Sequence, residues 1–293
     1  MTDRAVHVVR AGALTTVQDL GRPGHAHVGV PRAGALDEPA HRLANRLVGN
    51  PEHAATLETT VNGCAVRVRT ATLASVTGAP CPVTVDGRPA PWGTAVRVPA
   101  GAVLEAGPAT HGLRSHLAFA GGVAVDPVLG SRAGDLLSGL GPAPLTEGAV
   151  LPLGRPYGPP PAVDAVPHPG PVTELVLPVV LGPRDDWFTP TGLRTLATGR
   201  FRVSPASNRI GLRTEGPSLE RLKDGELPSE GMPLGALQVP PDGRPVLFLN
   251  DHPTTGGYPV IGVVPPRFLP ATAQAVPGTP VRFVPRRARG GGR

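Results

Sequence analysis

The 293 residues include 39 glycines and 39 prolines, yet 40% of the chain is hydrophobic. That combination excludes long helices, whose interiors reject both residues, and it excludes a disordered chain, which could not bury so much apolar side chain. The formal charge of +6 falls to +2 once Arg286, Arg287, Arg289 and Arg293 are set aside, and aromatics make up only 3%, so the charge field and stacking platforms of a nucleic-acid binder are missing.

The opening Met-Thr-Asp-Arg-Ala-Val lacks the apolar core of a signal peptide, and no apolar run reaches the roughly 18 residues of a membrane span. A cytoplasmic location without a membrane partner is therefore expected. Strand-sized apolar runs bounded by Gly or Pro fall at 6–9, 65–68, 83–85, 95–98, 102–104 and 116–120. Asp37-Glu38-Pro39 caps a helix whose apolar positions are Ala40, Leu43, Ala44, Leu47 and Val48, and Gly49 ends it. Residues 147–151 read as a turn and then a strand. Between 156 and 171 lie seven prolines, which predict an extended linker over 157–171 separating a domain at 1–156 from one at 172–285, with 286–293 as a basic tail. The second domain repeats the pattern, with strands at 174–180, 201–203, 236–239, 246–250, 260–264 and 281–284. Thr189-Pro190 opens a short helix stopped by Gly199, and 270–275 forms another. The architecture is mainly β with a few short helices, and the turn-plus-strand that closes each half hints at two related barrels.

Cys64 and Cys81 are too few for a disulfide framework and lack zinc-ligand spacing, so buried free thiols are expected. Lys223 is the only lysine, which removes a P-loop and a biotinyl-lysine site together. His25 and His27, two apart, would share one face of a strand, but no third ligand stands beside them and no metal site is assigned. Gly130-Ser131-Arg132-Ala133-Gly134 has its serine one position early for a nucleophile elbow.

Two polar clusters remain. Thr15-Thr16-Val17-Gln18-Asp19-Leu20-Gly21-Arg22-Pro23-Gly24 reads as a loop in which Gln18, Asp19 and Arg22 either meet a small ligand or satisfy backbone groups. In the second half, Asn208-Arg209 follows a strand, with Arg209 suited to a carboxylate or phosphate. Glu230, Gln238 and the loop Asn250-Asp251-His252-Pro253-Thr254-Thr255-Gly256-Gly257-Tyr258 come after it. Thr254 and Thr255 offer hydroxyls, Gly256 and Gly257 allow close backbone approach, and Tyr258 closes the loop. His252 suits acid–base work, and Glu230 suits a base or a metal ligand.

The stretches TTVQDLGRPG, GVPRAGALDEPAHRLANRLVGNPEHAATLE, LAFAGGVAVDPVLGSR, GPRDDWF, VSPASNRIGLR, LPSEGMPLGALQVPPDGRPVLFLNDHPTTGGYPVIGVV and the terminal PGTPVRF resemble, in order, the biotin-dependent carboxyltransferase family that includes the C subunit of 5-oxoprolinase, KipA and allophanate hydrolase subunit 2. The likeness runs from about Leu14 to Phe283. It departs where Ala133-Gly134-Asp135 follows Ser131-Arg132, and where His252 stands in place of a frequent glutamine.

The resemblance implies two cyclophilin-like β-barrel domains and a subunit of an ATP-dependent 5-oxoprolinase that converts 5-oxo-L-proline to L-glutamate. It also implies two partners, a KipI-like B subunit together with a third, A subunit. ATP and Mg would be shared among the subunits, and biotin would be present only as a visitor on another protein. On this reading Arg209 and the N–H groups of Gly256 and Gly257 meet developing negative charge, His252 and Glu230 move protons, and Gln18, Asn208 and Thr255 orient the amide. Asp19, Arg22, Gln238, Thr254 and Tyr258 complete the binding set. Two alternatives stand beside it: a carboxyltransferase for urea or a similar amide, and a non-catalytic antagonist that binds a KipI-like kinase inhibitor.

Overall fold

The structure is a computed structural model that describes residues 4–163, 166–223 and 225–287. It divides into two compact units, Met1–Arg22 with Ala33–Pro171, and Pro23–Arg32 with Val172–Arg293. The mainly β character expected from the dispersed Gly and Pro is what the chain shows. No helix among the described residues is long and apolar enough to cross a membrane.

The first unit contains, in chain order, β1 (Ala5–Arg10), β2 (Leu14–Gln18), α1 (Glu38–Leu47), β3 (Thr56–Thr60), β4 (Cys64–Val68), β5 (Thr72–Gly78), β6 (Val83–Val85), β7 (Arg88–Ala90), β8 (Val96–Val98), β9 (Val103–Ala106), β10 (Arg114–Phe119) and β11 (Val150–Pro152). One sheet has the order β11-β1-β4-β9-β6-β7 and the other β2-β3-β10-β5-β8. Inward side chains of both sheets, among them Val6, Val66, Leu104, Val17, Leu57, Val76 and Leu117, share one apolar core. Alternation along each strand sends these residues to the same face. Cys64 and Cys81 are buried free thiols, as expected, and burial pushes the Cys64 thiol up to about 11.

The α1 N-terminus is capped as the sequence anticipates: the Asp37 carboxylate accepts from Ala40 N at 3.1 Å, and a proline sits in the first turn, where its missing N–H costs nothing. The inner face of α1 is only partly apolar. Ala44 and Val48 pack on Ala118 and Ala120, while Ser75 and Thr77 hydroxyls donate to the Ala44 and Ala40 carbonyls at 2.7 Å each. The helix thus lies on a polar stripe of the five-stranded sheet.

Two parts of the sequence reading change here. Residues 14–18, read as loop, form β2, a strand whose residues 15–18 are all buried; with both faces covered, the alternating pattern that marks a half-exposed strand is absent. His25 and His27 flank and enter a 3-10 turn, Ala26–Val28, so the shared strand face does not form. Within the proline-rich segment, His168 packs tilted against Trp92 with ring centroids 4.7 Å apart, and the Pro169 carbonyl lies 2.8 Å from His111 Nε2. His168 and Pro169 are therefore anchored to the first unit.

In the second unit β12 (Leu175–Leu181), α2 (Pro190–Thr198), β13 (Phe201–Val203), β14 (Gly211–Glu215), β15 (Glu230–Gly231), β16 (Ala236–Gln238), β17 (Val246–Phe248), β18 (Thr255–Gly256), β19 (Val260–Val263), α3 (Leu269–Ala273) and β20 (Pro280–Arg286) follow one another. The order β12-β19-β16-β17-β14-β13-β20 closes on itself as a barrel, with β12 and β20 parallel. Phe201 and Phe283, both buried, meet edge to face at 5.3 Å inside it. Arg286 pairs with Val180, so the last strand runs one residue into the stretch read as a basic tail. Residues 288–293 of that stretch lie outside the described residues.

Candidate functional site

The polar loop after β17 is the chemically richest part of the second unit. Its base is a buried ion pair between Arg209, 1% exposed, and Asp251, 0% exposed. Arg209 Nε donates to one Asp251 oxygen at 2.9 Å and Nη2 to the other at 3.0 Å. This is the fork-to-fork geometry in which guanidinium and carboxylate match. Backbone bonds run alongside, Asp251 N to Arg209 O and Leu249 N to Ile210 O. Asn208, just before, accepts from Ile210 N and Gly211 N through its side chain, a local turn that aims Arg209 inward. Arg209 therefore turns its fork to Asp251 within the protein.

His252 is buried as well, and the loop opens to solvent over 253–258. His252 Nδ1 lies 2.7 Å from the Pro253 carbonyl, and since a carbonyl oxygen only accepts, Nδ1 carries a hydrogen. Thr255 is exposed and Thr254, Gly256, Gly257 and Tyr258 are half-buried. β15 and β18 pair Glu230 with Gly256 and Gly231 with Thr255. Gln238, buried on β16, donates to the Tyr258 carbonyl at 3.1 Å. A Cβ at Gly256 would come within 2.6 Å of Met232 Cε and 2.8 Å of Gln238 Nε2, so glycine is what lets the loop approach those side chains. Glu230 pairs through both oxygens with Arg184, whose guanidinium holds the carboxyl below its ordinary range. A carboxylate so held is a weak base. Lys223 is also committed, 2.5 Å from Asp186 and over the Trp187 ring.

In the first unit, Gln18, Asp19 and Arg22 gather around the segment 128–135. Gln18, wholly buried, donates to the Gly134 carbonyl at 2.8 Å and to Thr16 Oγ1 at 3.1 Å. Asp19 accepts from Ser131 Oγ and Arg132 N, both at 2.6 Å, and from Gly21 N at 2.8 Å. Arg22 donates to the carbonyls of Val128 and Ala133. All three brace a loop through its backbone, one of the two readings their sequence setting allows.

Sequence reasoning missed the polar row beneath α1. Strand register aligns Thr16, Glu58, His116 and Thr77 across four strands. Glu58 accepts from Leu36 N at 2.9 Å and faces Arg114 at 3.6 Å and His116 at 3.8 Å. His41 meets Thr56 Oγ1 at 2.9 Å and lies edge-on to His116. Burial, then the neighbouring His116, lowers the His41 pKa to about 3, so this imidazole is neutral. Asp251 and Arg184 were missed as well. The one sequence signal for Asp251 is an acid placed one residue beyond the apolar run 246–249.

The family model described as carboxyltransferase domain, subdomain A and B, matches residues 28–285. The C subunit of the 5-oxoprolinase of Escherichia coli (strain K12) is 37% identical over 284 residues, covering 94% of this chain and 90% of that protein. Among solved structures, TTHA0988 aligns with a TM-score of 0.84 at 37% identity over 96% of this chain. The Kluyveromyces lactis urea carboxylase aligns with a TM-score of 0.88 at 30% identity over the same share. This chain spans 56% of the TTHA0988 chain and 27% of the urea carboxylase chain.

Proposed function

Because this chain belongs to the family of the carboxyltransferase domain, subdomain A and B, we propose that it works as the C subunit of an ATP-dependent 5-oxoprolinase, opening 5-oxo-L-proline to L-glutamate together with partner subunits. The observation that carries this reading is the near full-length match to the E. coli protein. A KipI-like B subunit together with a third, A subunit, make up the proposed partners, and the complex is assigned to the cytoplasm.

A lactam resists hydrolysis because its C–N bond has double-bond character. Transfer of the ATP phosphoryl group to the carbonyl oxygen activates the carbon: water adds there, the ring C–N bond breaks as nitrogen takes a proton, and a second water displaces phosphate from the resulting acyl phosphate, which is the physical reason for ATP. We assign His252 as the group that takes a proton from attacking water. The half-buried Gly256 and Gly257 and the hydroxyls of Thr254 and Thr255 form the surface that approaches the substrate. Gln238 fixes that surface from behind through Tyr258, Arg209 and Asp251 hold its base, and Asn208 sets the entry of Arg209. We assign Glu230 to loop fixation through Arg184 rather than to proton transfer. In the first unit Gln18, Asp19 and Arg22 keep the segment 128–135 in place. Magnesium on ATP needs only one or two protein carboxylates beside phosphate and water. We place its ligands partly on the partner subunits.

Co-purification with both partner subunits, followed by glutamate release from 5-oxoproline, tests the reading. ATP-dependent release that requires this chain is expected; an assembled complex that releases none contradicts it. The likeness to urea carboxylase supports a second reading, carboxyl transfer to urea or a similar amide, which predicts turnover only when a carboxylated biotin carrier is supplied.

A further inference from the structure

We propose that the first unit carries a separate binding pocket for a compact dianion, a phosphate monoester or a dicarboxylate, held between Arg132 and Arg155. The cavity measures about 300 Å3 and is lined by those two arginines, His53 and Tyr157 over a floor of small residues. That volume is at the lower end of small-molecule sites. Among the described residues no carboxylate lines it, and neither Arg132 nor Arg155 is ion-paired. Elsewhere on this chain guanidinium groups at Arg42, Arg184 and Arg209 are each matched to an acid. Two unmatched ones facing one cavity make a site whose charge asks for a dianion.

Arg132 is held in place from two sides. Its backbone N–H donates to Asp19 at 2.6 Å and its Nε to the Val125 carbonyl at 2.7 Å, which leaves the two Nη groups for ligand oxygens. Such a fork matches the paired oxygens of phosphate or carboxylate. Asp19 is thus a positioning residue for this pocket. The floor is rigid for a different reason. Gly121 and Gly154 meet backbone to backbone, and a Cβ on either would come within 2.4 Å of the other's carbonyl oxygen. Gly154 N to Gly122 O and Ala124 N to Pro152 O close the same wall. The ordering cost of forming the site is therefore largely met before a ligand arrives.

Calorimetric titration of the full chain at low ionic strength tests the pocket without reference to turnover. Inorganic phosphate and glutarate are the two probes, and chloride at equal ionic strength is the control. One saturable site for phosphate assigns the phosphate class, and one for glutarate assigns the dicarboxylate class. Either is expected to weaken about tenfold in Arg155→Gln and again in Arg132→Gln, the order lost with one charge-assisted hydrogen bond. Arg155 is exposed, so its substitution leaves the melting temperature unchanged and separates binding from folding. Arg155→Lys retains part of the affinity. Absence of saturable heat with both dianions, or affinities equal to wild type in both glutamine variants, overturns the proposal.

Discussion

Replacing Asp251 by Asn keeps the shape of the side chain and removes the negative charge from a guanidinium that is 1% exposed. The two bonds, 2.9 and 3.0 Å, put the charge centres about 4 Å apart, where the attraction at an effective dielectric of ~20 is about 4 kcal/mol. Breaking one side of a buried pair costs about 3–5 kcal/mol, because the remaining charge stays desolvated. The chain has two tryptophans: Trp92 in the first unit and Trp187 in the second. In a Trp92→Phe background the fluorescence of Trp187 follows the second unit alone. With a urea m-value of about 2 kcal/mol/M, Asp251→Asn lowers the midpoint by about 2 M. Arg209→Met added to Asp251→Asn restores part of this loss, since it removes the buried charge along with its partner. A midpoint within about 0.3 M of wild type for the single variant would show that the pair does not hold the loop.

Further outcomes follow from other sites. His41, with its pKa lowered to about 3, is neutral in the fold and protonated in the unfolded chain below about pH 6.5, so unfolding takes up a proton in that window. Stability therefore falls as pH drops from about 6.5 towards 3, by up to about 1.4 kcal/mol per unit, and His41→Gln, measured by urea melts at pH 6, 5 and 4, loses less per unit; equal slopes contradict the burial of a neutral ring. Val61 sits at φ +60° with its side chain half exposed, a strained place for a β-branched residue, so Val61→Asn stabilises by about 1 kcal/mol and raises the calorimetric Tm by about 3 °C. Gly63→Ala acts in the opposite direction, since its Cβ would lie 2.0 Å from the Ala106 carbonyl oxygen at φ +66°; it costs more than about 3 kcal/mol by the same melt. A thiol reagent leaves Cys64 and Cys81 unmodified in the native protein and reacts with both in urea, because burial raises both thiols.

Local signals made much of the architecture legible. Asp37-Glu38-Pro39 and Thr189-Pro190 place the caps of α1 and α2 where the structure has them, because a cap is settled by residues three apart. Strands such as Phe201–Val203 were visible as apolar runs between breakers. β2 and β5 were not: Thr15, Thr16, Gln18, Ser75 and Thr77 are polar and buried, and Thr15, Gln18, Ser75 and Thr77 each bond a partner far away in sequence. The polar row beneath α1 was invisible for the same reason, since it takes one residue from each of four strands. At the candidate site the residue types were visible but their pairings were not. The guanidinium of Arg209 is visible in the sequence, but its carboxylate partner Asp251 stands 42 positions later. Glu230 reads as a free carboxylate until Arg184, 46 positions earlier, takes it.

The most direct measurement of the proposed chemistry uses 5-oxo-L-proline labelled with 18O at the lactam carbonyl, turned over by the complex that contains this chain. The account predicts glutamate formed in step with ATP consumption and 18O recovered in inorganic phosphate, because the oxygen that accepts the phosphoryl group departs with it. Label retained in glutamate, or glutamate formed at the same rate when this chain is left out, would contradict it.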